Sequence, residues 1–216
     1  AAGDAGMIVT SDEKLAERLK AIRAHGMRKR YYHDELGVNS RLDELQAAVL
    51  SVKLPYLASW NARRADLADL YTKHLSGCPG IVTPTVSLAG QKAGAARGEV
   101  QHVYHQYTIR VLSDAGTVGT LENPKRDELI AELSKANVGS MCYYPVPLHV
   151  QQAFQQVGAS MGQFPISERL SREVLSLPMY PELTNEQVIY VADCIKSHMA
   201  KVAVSPVATP VSTALS

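Results

Sequence analysis

Apolar residues recur at every third or fourth position along much of the chain, which is the spacing of an amphipathic helix. The pattern predicts helices within residues 10–26, 39–55, 56–77, 123–137, 167–175 and 184–201. Thr10 and Glu13 have the spacing of a capping box at the start of the first helix. Asn39 and Ser40 are the predicted caps of the second helix, with Asp43 completing the box.

The helix predicted at 39–55 has one apolar face, formed by Leu42, Leu45, Val49 and Val52. Proline lacks a backbone N–H and clashes with the preceding turn, so Pro55 is expected to break or kink the chain before the next helix. These helices could bury one another or the corresponding helices of a second copy.

Strands are predicted where apolar and polar residues alternate, or where a short apolar run follows a turn. Residues 102–112 alternate in this way. The apolar face of this strand consists of Val103, Tyr107, Ile109 and Val111. Residues 7–9 and 138–142 are the other predicted strands. Residues 27–39 have no period, and they predict an exposed irregular loop.

The composition changes after residue 76, where Gly and Pro become frequent and an Ala/Gly-rich stretch follows at 88–98. We therefore expect a first part at residues 1–76 and a smaller unit at 77–200. The uncharged tail at 201–216 is expected to be disordered. Helices and strands mixed in this way indicate an α/β chain in two parts.

The overall composition is that of a folded protein. The 216 residues are 46% hydrophobic and 20% charged, with a net charge of +1. A charge so close to neutral argues against nucleic-acid binding, and no apolar run is long enough to cross a membrane. Three widely separated cysteines favour reduced thiols and thus a cytoplasmic protein. No signal peptide is recognised, and because no methionine precedes Met7, the chain is expected to begin within a domain.

Three consecutive basic residues at 28–30 precede Tyr31, Tyr32 and His33 in the predicted loop. Basic side chains bind phosphate and tyrosine rings stack on bases, so this segment is a candidate anion or nucleotide site. A solvated loop is the competing interpretation of the same composition.

Asn39 and Arg41 stand at a predicted helix start, where free backbone N–H groups, an amide and a guanidinium could together hold a phosphate or a carboxylate. A helix cap beside a salt-bridged arginine explains the same residues equally well. The chemistry of these two side chains alone does not decide between the two interpretations.

The histidines are weaker candidates. His149 follows Pro147 in a constrained turn that is expected to be exposed, where an imidazole could meet a ligand; plain packing is the alternative. His102 and His105 have no Cys or carboxylate ligand near them in sequence. Structural roles are therefore favoured for these two, and no metal site is predicted.

Five segments in fixed order carry a family resemblance. They are GDAGMIVTSDEKLAERLKAIRAHG, GVNSRLDELQAAVLSVKL, VYHQYTIRV, YYPVPLHVQQAF and LSLPMYPELTNEQ. In sequence and spacing, over about residues 3–198, they resemble the second half of the DegT/DnrJ/StrS sugar aminotransferases. The resemblance implies the fold-type I architecture of pyridoxal-phosphate enzymes. This chain would supply the end of the large domain, the bridging helices and the small α+β C-terminal domain.

The resemblance also implies an activity. Enzymes of this family use pyridoxal 5'-phosphate to move an amino group from glutamate to a nucleotide-linked keto sugar, and they act as homodimers with shared active sites. Surface-polysaccharide or antibiotic sugar synthesis is the setting that the family suggests. By its position in the GxNxR segment, Asn39 would contact the cofactor phosphate in the neighbouring subunit's site. Arg41 would bind the carboxylate of the amino donor or nearby substrate.

The same resemblance implies further substrate contacts. Tyr31, Tyr32 and His33 would line the entrance for the nucleotide sugar. His149, in the PLH segment, would approach the sugar from the small domain. These four side chains and Arg41 are the predicted substrate-binding residues.

One group of the family's active site is not matched in this sequence. The lysine that forms the Schiff base stands shortly before the Gly-Asp pair that Gly3 and Asp4 match, so it is expected upstream of Gly3. No lysine of the 216 residues is an evident replacement, so no catalytic residue is assigned. We therefore expect this chain alone to be inactive. A noncatalytic dimerisation or nucleotide-sugar-binding module is the alternative function.

Overall fold

A computed structural model of the chain describes residues 3–86, 102–112, 119–158 and 160–204. The chain forms two compact units, Ala1–Ala58 and Ser59–Ser216. The predicted Ala/Gly-rich loop at 88–98 and residues 205–216 of the predicted tail lie outside the described residues. The domain limits predicted at 76 and 200 stay predictions.

The first unit contains the helices α1 (Glu13–Ile22) and α2 (Glu44–Lys53), with two short strands between them. Both predicted helices are present, but both predicted caps are wrong. Asp12 caps α1 by accepting a hydrogen bond from the Leu15 N–H, and Asp43 caps α2 while the Gln46 side chain accepts from its N–H. Asn39 and Ser40 are unavailable as caps because their backbone pairs with residues 23–24 instead.

Two further predictions for the first unit are wrong. Residues 7–9 form no strand, and their side chains are exposed, because a short extended run needs a partner strand and none is present among the described residues. Residues 27–39 are not an irregular loop. They contain an antiparallel hairpin of β1 (Met27–Lys29) and β2 (Tyr32–His33), with an irregular register between the two pairs.

Within the described residues, the second unit has an antiparallel sheet of three strands and four α-helices. In chain order its elements are α3 (Leu57–Leu75), β3 (Ile81–Val82), β4 (Tyr107–Val111), α4 (Pro124–Lys135), α5 (Pro165–Glu173), β5 (Val174–Leu177) and α6 (Asn185–Val204). The strand order β3-β4-β5 places β4 in the centre. A 3-10 turn at Leu54–Tyr56 precedes α3, which confirms the break predicted at Pro55.

The core of the second unit lies between this sheet and its helices. Its most deeply buried apolar side chains are Leu67, Tyr71, Leu75, Tyr107, Ile109, Val111, Leu129, Leu133, Leu175, Val188, Ala192 and Ile195. Tyr71 of α3 stacks on Tyr107 of β4 with 4.9 Å between the ring centroids. The Tyr71 hydroxyl donates to the Pro178 carbonyl, and the Tyr107 hydroxyl is hydrogen-bonded to the Thr72 hydroxyl. Both buried hydroxyls therefore have a hydrogen-bond partner.

The alternating pattern of residues 107–111 predicts β4 correctly, including its buried face. Val103 is exposed and lies before the strand, so its assignment to that face is wrong. Residues 138–142 make only an isolated bridge between Met141 and Ser176. β4 pairs with β3 on one side and, on the other, with β5, where the sequence predicts the end of a helix.

Helix α5 has an inverted pattern of burial. The side chains it buries are Glu168, Ser171, Arg172 and Glu173. Its apolar residues Ile166 and Leu170 are exposed. Burying charged groups is unfavourable unless each finds a partner, so the position of α5 depends on specific polar contacts.

Asn123 connects three elements of the second unit. Its Oδ1 caps α4 by accepting from the Arg126 N–H, and its Nδ2 donates to the carbonyls of Val111 and Arg172. The residue is 1% exposed, so water cannot replace these partners. The start of α4 is thereby tied to β4 and α5.

We expect Asn123→Ala to lower the free energy of unfolding of the second unit by about 3 kcal/mol, because a helix cap and two buried hydrogen bonds are lost together. Urea unfolding followed by the fluorescence of Trp60, the single tryptophan, measures this change. Glu128→Ala, at an exposed position of α4, is the control and should cost no more than about 0.5 kcal/mol. Equal losses in the two variants would contradict the role of Asn123.

Helix α2 leaves the predicted apolar face uncovered. None of its residues is buried, and Leu45 is 84% exposed. Leu42, Val49 and Val52 are also exposed. Apolar patches of this kind promote association between proteins.

We expect the chain to self-associate at micromolar concentration, and we expect Leu45→Glu to reduce this association by adding charge to the apolar face. Sedimentation velocity over a range of concentrations measures the effect. Ser51→Glu adds the same charge at another exposed position of α2 and should leave the association unchanged. If sedimentation shows a monodisperse monomer for the unsubstituted chain, the prediction is wrong.

Candidate functional site

The hairpin of the first unit begins and ends at two glycines in close contact. Gly26 has a φ of 76°, a conformation that glycine adopts readily. A Cβ atom on Gly37 would lie 2.2 Å from the Gly26 nitrogen, and a Cβ atom on Gly26 would lie 1.6 Å from the Glu35 carbonyl oxygen. No side chain fits at either position without separating the two segments.

Backbone hydrogen bonds continue from this crossing and place Asn39. The N–H of Val38 donates to the Ile22 carbonyl, and the N–H of Ser40 donates to the Arg23 carbonyl. Asn39 itself forms an antiparallel bridge with Ala24. The position of Asn39 is therefore set by the end of α1 and not by the start of α2.

The side chains of Asn39 and Arg41 act as a pair. Arg41 Nε donates to Asn39 Oδ1 at 3.0 Å, so the carbonyl end of the amide is occupied by the guanidinium. The amide NH2 and the outer guanidinium nitrogens remain as donors, and both residues are exposed. The cap interpretation of Asn39 is wrong, because Asp43 caps α2. A set of donors without an acceptor fits a phosphate or a carboxylate.

Glu35 holds the base of the hairpin by binding two arginines. Its two carboxylate oxygens accept from Arg18 Nε of α1 and from Arg28 Nη2 of β1, each at 3.0 Å. Arg28 also lies 3.9 Å from Asp34. The first of the three consecutive basic residues is thus neutralised within the hairpin.

The other two basic residues lie against the tyrosines at the hairpin tip. The Lys29 ammonium is 4.9 Å from the centroid of the Tyr32 ring, and the Arg30 guanidinium is 5.0 Å from that of Tyr31. Both tyrosines are exposed, and no described carboxylate pairs with either cation. The tip therefore presents two positive charges and two aromatic rings to solvent.

His33 has a structural contact. Its Nδ1 lies 2.9 Å from the His25 carbonyl oxygen, so Nδ1 carries the hydrogen and donates. This bond joins β2 to the turn after α1. The ring nitrogen that stays available to a ligand is Nε2.

His149 is not in an exposed turn, and this part of its prediction is wrong. Its side chain is only 10% exposed and lies in a 3-10 turn (Leu148–Val150) of the second unit. Nε2 is 2.9 Å from Glu168 Oε1, and the ring packs on Phe164 with 4.8 Å between centroids. Burial was missed because the partner carboxylate stands 19 residues later, on α5.

Glu168 is a candidate site residue that sequence reasoning missed. Burial by itself raises the pKa of its carboxyl. The hydrogen bonds from His149 and from the N–H groups of Gly162 and Phe164 outweigh this effect and hold the pKa of Glu168 below its usual range. Glu168 is therefore a carboxylate at neutral pH. A glutamate within a polar helix carries no sequence signal of this role.

Five of the six predicted site residues lie in the first unit. They lie on the hairpin and on the segment that follows it, and they are Tyr31, Tyr32, His33, Asn39 and Arg41. His149 belongs to the second unit. Whether each of these residues binds substrate or cofactor stays a prediction.

The described residues contain neither a metal-binding cluster nor a membrane-spanning helix. No group of three or more His, Cys, Asp or Glu side chains is arranged to hold a metal ion in residues 3–86, 102–112, 119–158 and 160–204. Within the same ranges, no helix has the length and apolar character needed to cross a bilayer.

Comparison with known proteins shows what the chain is similar to. It is 46% identical, over 195 residues, to a pleiotropic regulatory protein of Geobacillus stearothermophilus, covering 89% of this chain and 46% of that protein. It is 37% identical, over 200 residues, to the dTDP-3-amino-3,4,6-trideoxy-alpha-D-glucose transaminase of Streptomyces venezuelae, covering 93% of this chain and 47% of the transaminase. The chain spans about half the length of these relatives.

The fold agrees with a solved structure. The crystal structure of DesV from Streptomyces venezuelae superposes with a TM-score of 0.75 at 37% identity, over 88% of this chain and 46% of DesV. The structural neighbours are fold-type I aminotransferases, which confirms the predicted fold class. The model of the DegT/DnrJ/EryC1/StrS aminotransferase family matches residues 1–196. The chain therefore belongs to this family, whose members depend on pyridoxal phosphate.

Proposed function

We propose that this chain forms the second half of an enzyme that transfers an amino group from glutamate to a nucleotide-linked keto sugar. The observation that carries the proposal is the donor pair of Asn39 and Arg41, held by the Nε–Oδ1 bond of 3.0 Å. The transaminase name of the Streptomyces venezuelae relative supports the same substrate class. The homodimer and the cytoplasmic location remain parts of this proposal.

Asn39 and Arg41 have separate tasks in this proposal. The Asn39 NH2 donates to the phosphate of pyridoxal phosphate, and the backbone bridge to Ala24 keeps the amide in place. The Arg41 guanidinium orients that amide and offers its outer nitrogens to the donor carboxylate or to nearby substrate. When bound, the cofactor supplies the carrier for the amino group and the electron sink.

The hairpin tip is proposed to bind the nucleotide part of the substrate. Tyr31 and Tyr32 offer exposed ring faces, and each ring is flanked by a cation. This combination matches a base or sugar beside a diphosphate. His33 is proposed to contribute through Nε2, since Nδ1 is bound to the His25 carbonyl. His149 is proposed as a contact of the sugar.

We also propose that the nucleophilic lysine is not among these 216 residues. Most lysines of the described part lie on helices, where they pair with acids or face solvent. Lys20 and Lys135, for example, bind glutamates one turn away. Lys29 lies over the Tyr32 ring. A Schiff-base lysine instead needs a pocket that lowers its pKa or holds it against the cofactor.

A hybrid enzyme tests the proposed activity. Residues 3–198 of this chain replace the matching half of the Streptomyces venezuelae transaminase, and the product is assayed with glutamate and the dTDP-linked keto sugar of that relative. We expect glutamate-dependent formation of the amino sugar, measured by mass spectrometry. A folded hybrid that binds pyridoxal phosphate yet leaves the keto sugar unchanged would contradict the proposal.

Asn39→Ala in this hybrid is expected to weaken pyridoxal phosphate binding about 10- to 100-fold, because a hydrogen bond to a charged group is lost. Absorbance titration with the cofactor measures the affinity. Ser40→Ala, the adjacent exposed position, is the matched control and should bind as the unsubstituted hybrid does. Unchanged affinity in Asn39→Ala would remove Asn39 from the cofactor site.

Borohydride trapping tests the absence of the lysine. We expect the 216-residue chain, mixed with pyridoxal phosphate and reduced, to show no stoichiometric adduct on any single lysine by peptide mass spectrometry. The hybrid is the positive control, and its adduct should map to the half contributed by the relative. A stoichiometric adduct at one lysine of this chain would refute the assignment.

A further inference from the structure

A buried carboxylate organises the segment that carries His149. Glu168 is 5% exposed, and its Oε1 lies 2.9 Å from His149 Nε2, 2.8 Å from the Gly162 nitrogen and 3.2 Å from the Phe164 nitrogen. One oxygen atom thus joins the 3-10 turn at His149 to the start of α5. This cluster belongs to the second unit, which has its own core.

The two ring nitrogens of His149 are in different situations. Nε2 faces a carboxylate, which can only accept, so Nε2 carries a hydrogen. No hydrogen bond from the described residues reaches Nδ1. Two side-chain atoms of the described residues are buried without a hydrogen-bond partner, Arg172 Nε and His198 Nε2. His149 Nδ1 is not among them. Within the part of the chain that the structure describes, Nδ1 is therefore the ring nitrogen of His149 without a hydrogen-bond partner.

We propose that Glu168 is a positioning residue for His149: it fixes the imidazole as the Nε2–H tautomer and offers Nδ1 as an acceptor to a hydroxyl group of the sugar. The proposal rests on the function inferred above for the sugar contact of His149. Glu168 itself touches neither sugar nor cofactor. It acts through the histidine, in the way that a carboxylate behind an imidazole sets which ring nitrogen is free.

If Glu168 had a purely structural role, any side chain with an acceptor oxygen at this position would suffice. The N–H groups of Gly162 and Phe164 need an acceptor, and the carbonyl oxygen of a glutamine would satisfy them. Only the charge distinguishes the native carboxylate, because a charge-assisted hydrogen bond is about twice as strong as a neutral one. Glu168→Gln therefore keeps the shape of the segment while weakening the preference for Nε2–H.

The test reads the tautomer of His149 directly in the 216-residue chain. Long-range proton–nitrogen NMR spectra at pH about 8, where histidine is ordinarily neutral, distinguish protonated from unprotonated ring nitrogens. We expect Nε2–H in the native chain, and a ratio of Nε2–H to Nδ1–H that falls about tenfold in Glu168→Gln. Glu173→Gln removes another buried carboxylate of α5, one that binds Arg110, and should leave the ratio unchanged.

Two outcomes would overturn the proposal. One is an Nδ1–H tautomer of His149 in the native chain. This measurement uses the unsubstituted chain, so it does not depend on the folding of any variant. The other is a native ratio in Glu168→Gln, with Trp60 fluorescence confirming that the second unit is folded. The tautomer is read without substrate, so failure of the hybrid to transaminate would count against the proposed function alone.

A second measurement connects the tautomer to the sugar. In the hybrid, Glu168→Gln is expected to raise KM for the keto sugar about tenfold while the affinity for pyridoxal phosphate is unchanged. Glu173→Gln should change neither quantity. An unchanged KM beside a changed tautomer would show that His149 does not contact the sugar, and the proposal would fall.

Discussion

The contact between the backbones at Gly26 and Gly37 is the constraint on which the first unit's candidate site depends. Any Cβ atom there would overlap the opposite segment, so the crossing fixes where the hairpin leaves α1 and where it returns. Asn39 follows the crossing by two residues, and its backbone is paired with Ala24. The amide is therefore positioned by main-chain geometry, which side-chain substitutions nearby disturb little.

The same hairpin divides three consecutive cations into two kinds. Arg28 is bound by Glu35 and Asp34, so its charge stabilises the fold of the hairpin. Lys29 and Arg30 lie over tyrosine rings at the tip, where their charges stay uncompensated by described carboxylates. These adjacent cations thus have different roles, because only Arg28 lies close to the carboxylates of Asp34 and Glu35.

Sequence patterns predicted those elements whose signals are local. The helices predicted at 123–137 and 184–201 and the alternation of β4 each lie within one segment, and each is found in the structure. The short strands β1, β2, β3 and β5 were missed because a partner segment defines each of them and no period of two to four residues is recognisable. The cap predicted at Asn39 failed because its backbone pairs with the end of α1 instead.

Helix α5 shows why the pair of His149 and Glu168 lay beyond sequence reasoning. A rule that buries apolar residues would turn Ile166 and Leu170 inward, yet both are exposed, while Glu168 and its polar neighbours are buried. That orientation is unfavourable unless the buried charges are bound, and Glu168 meets this condition with three donors. Departures from local patterning of this kind are expected where a residue serves a site instead of the core. The inverted face of α5 thus gives a physical reason to look for function at His149.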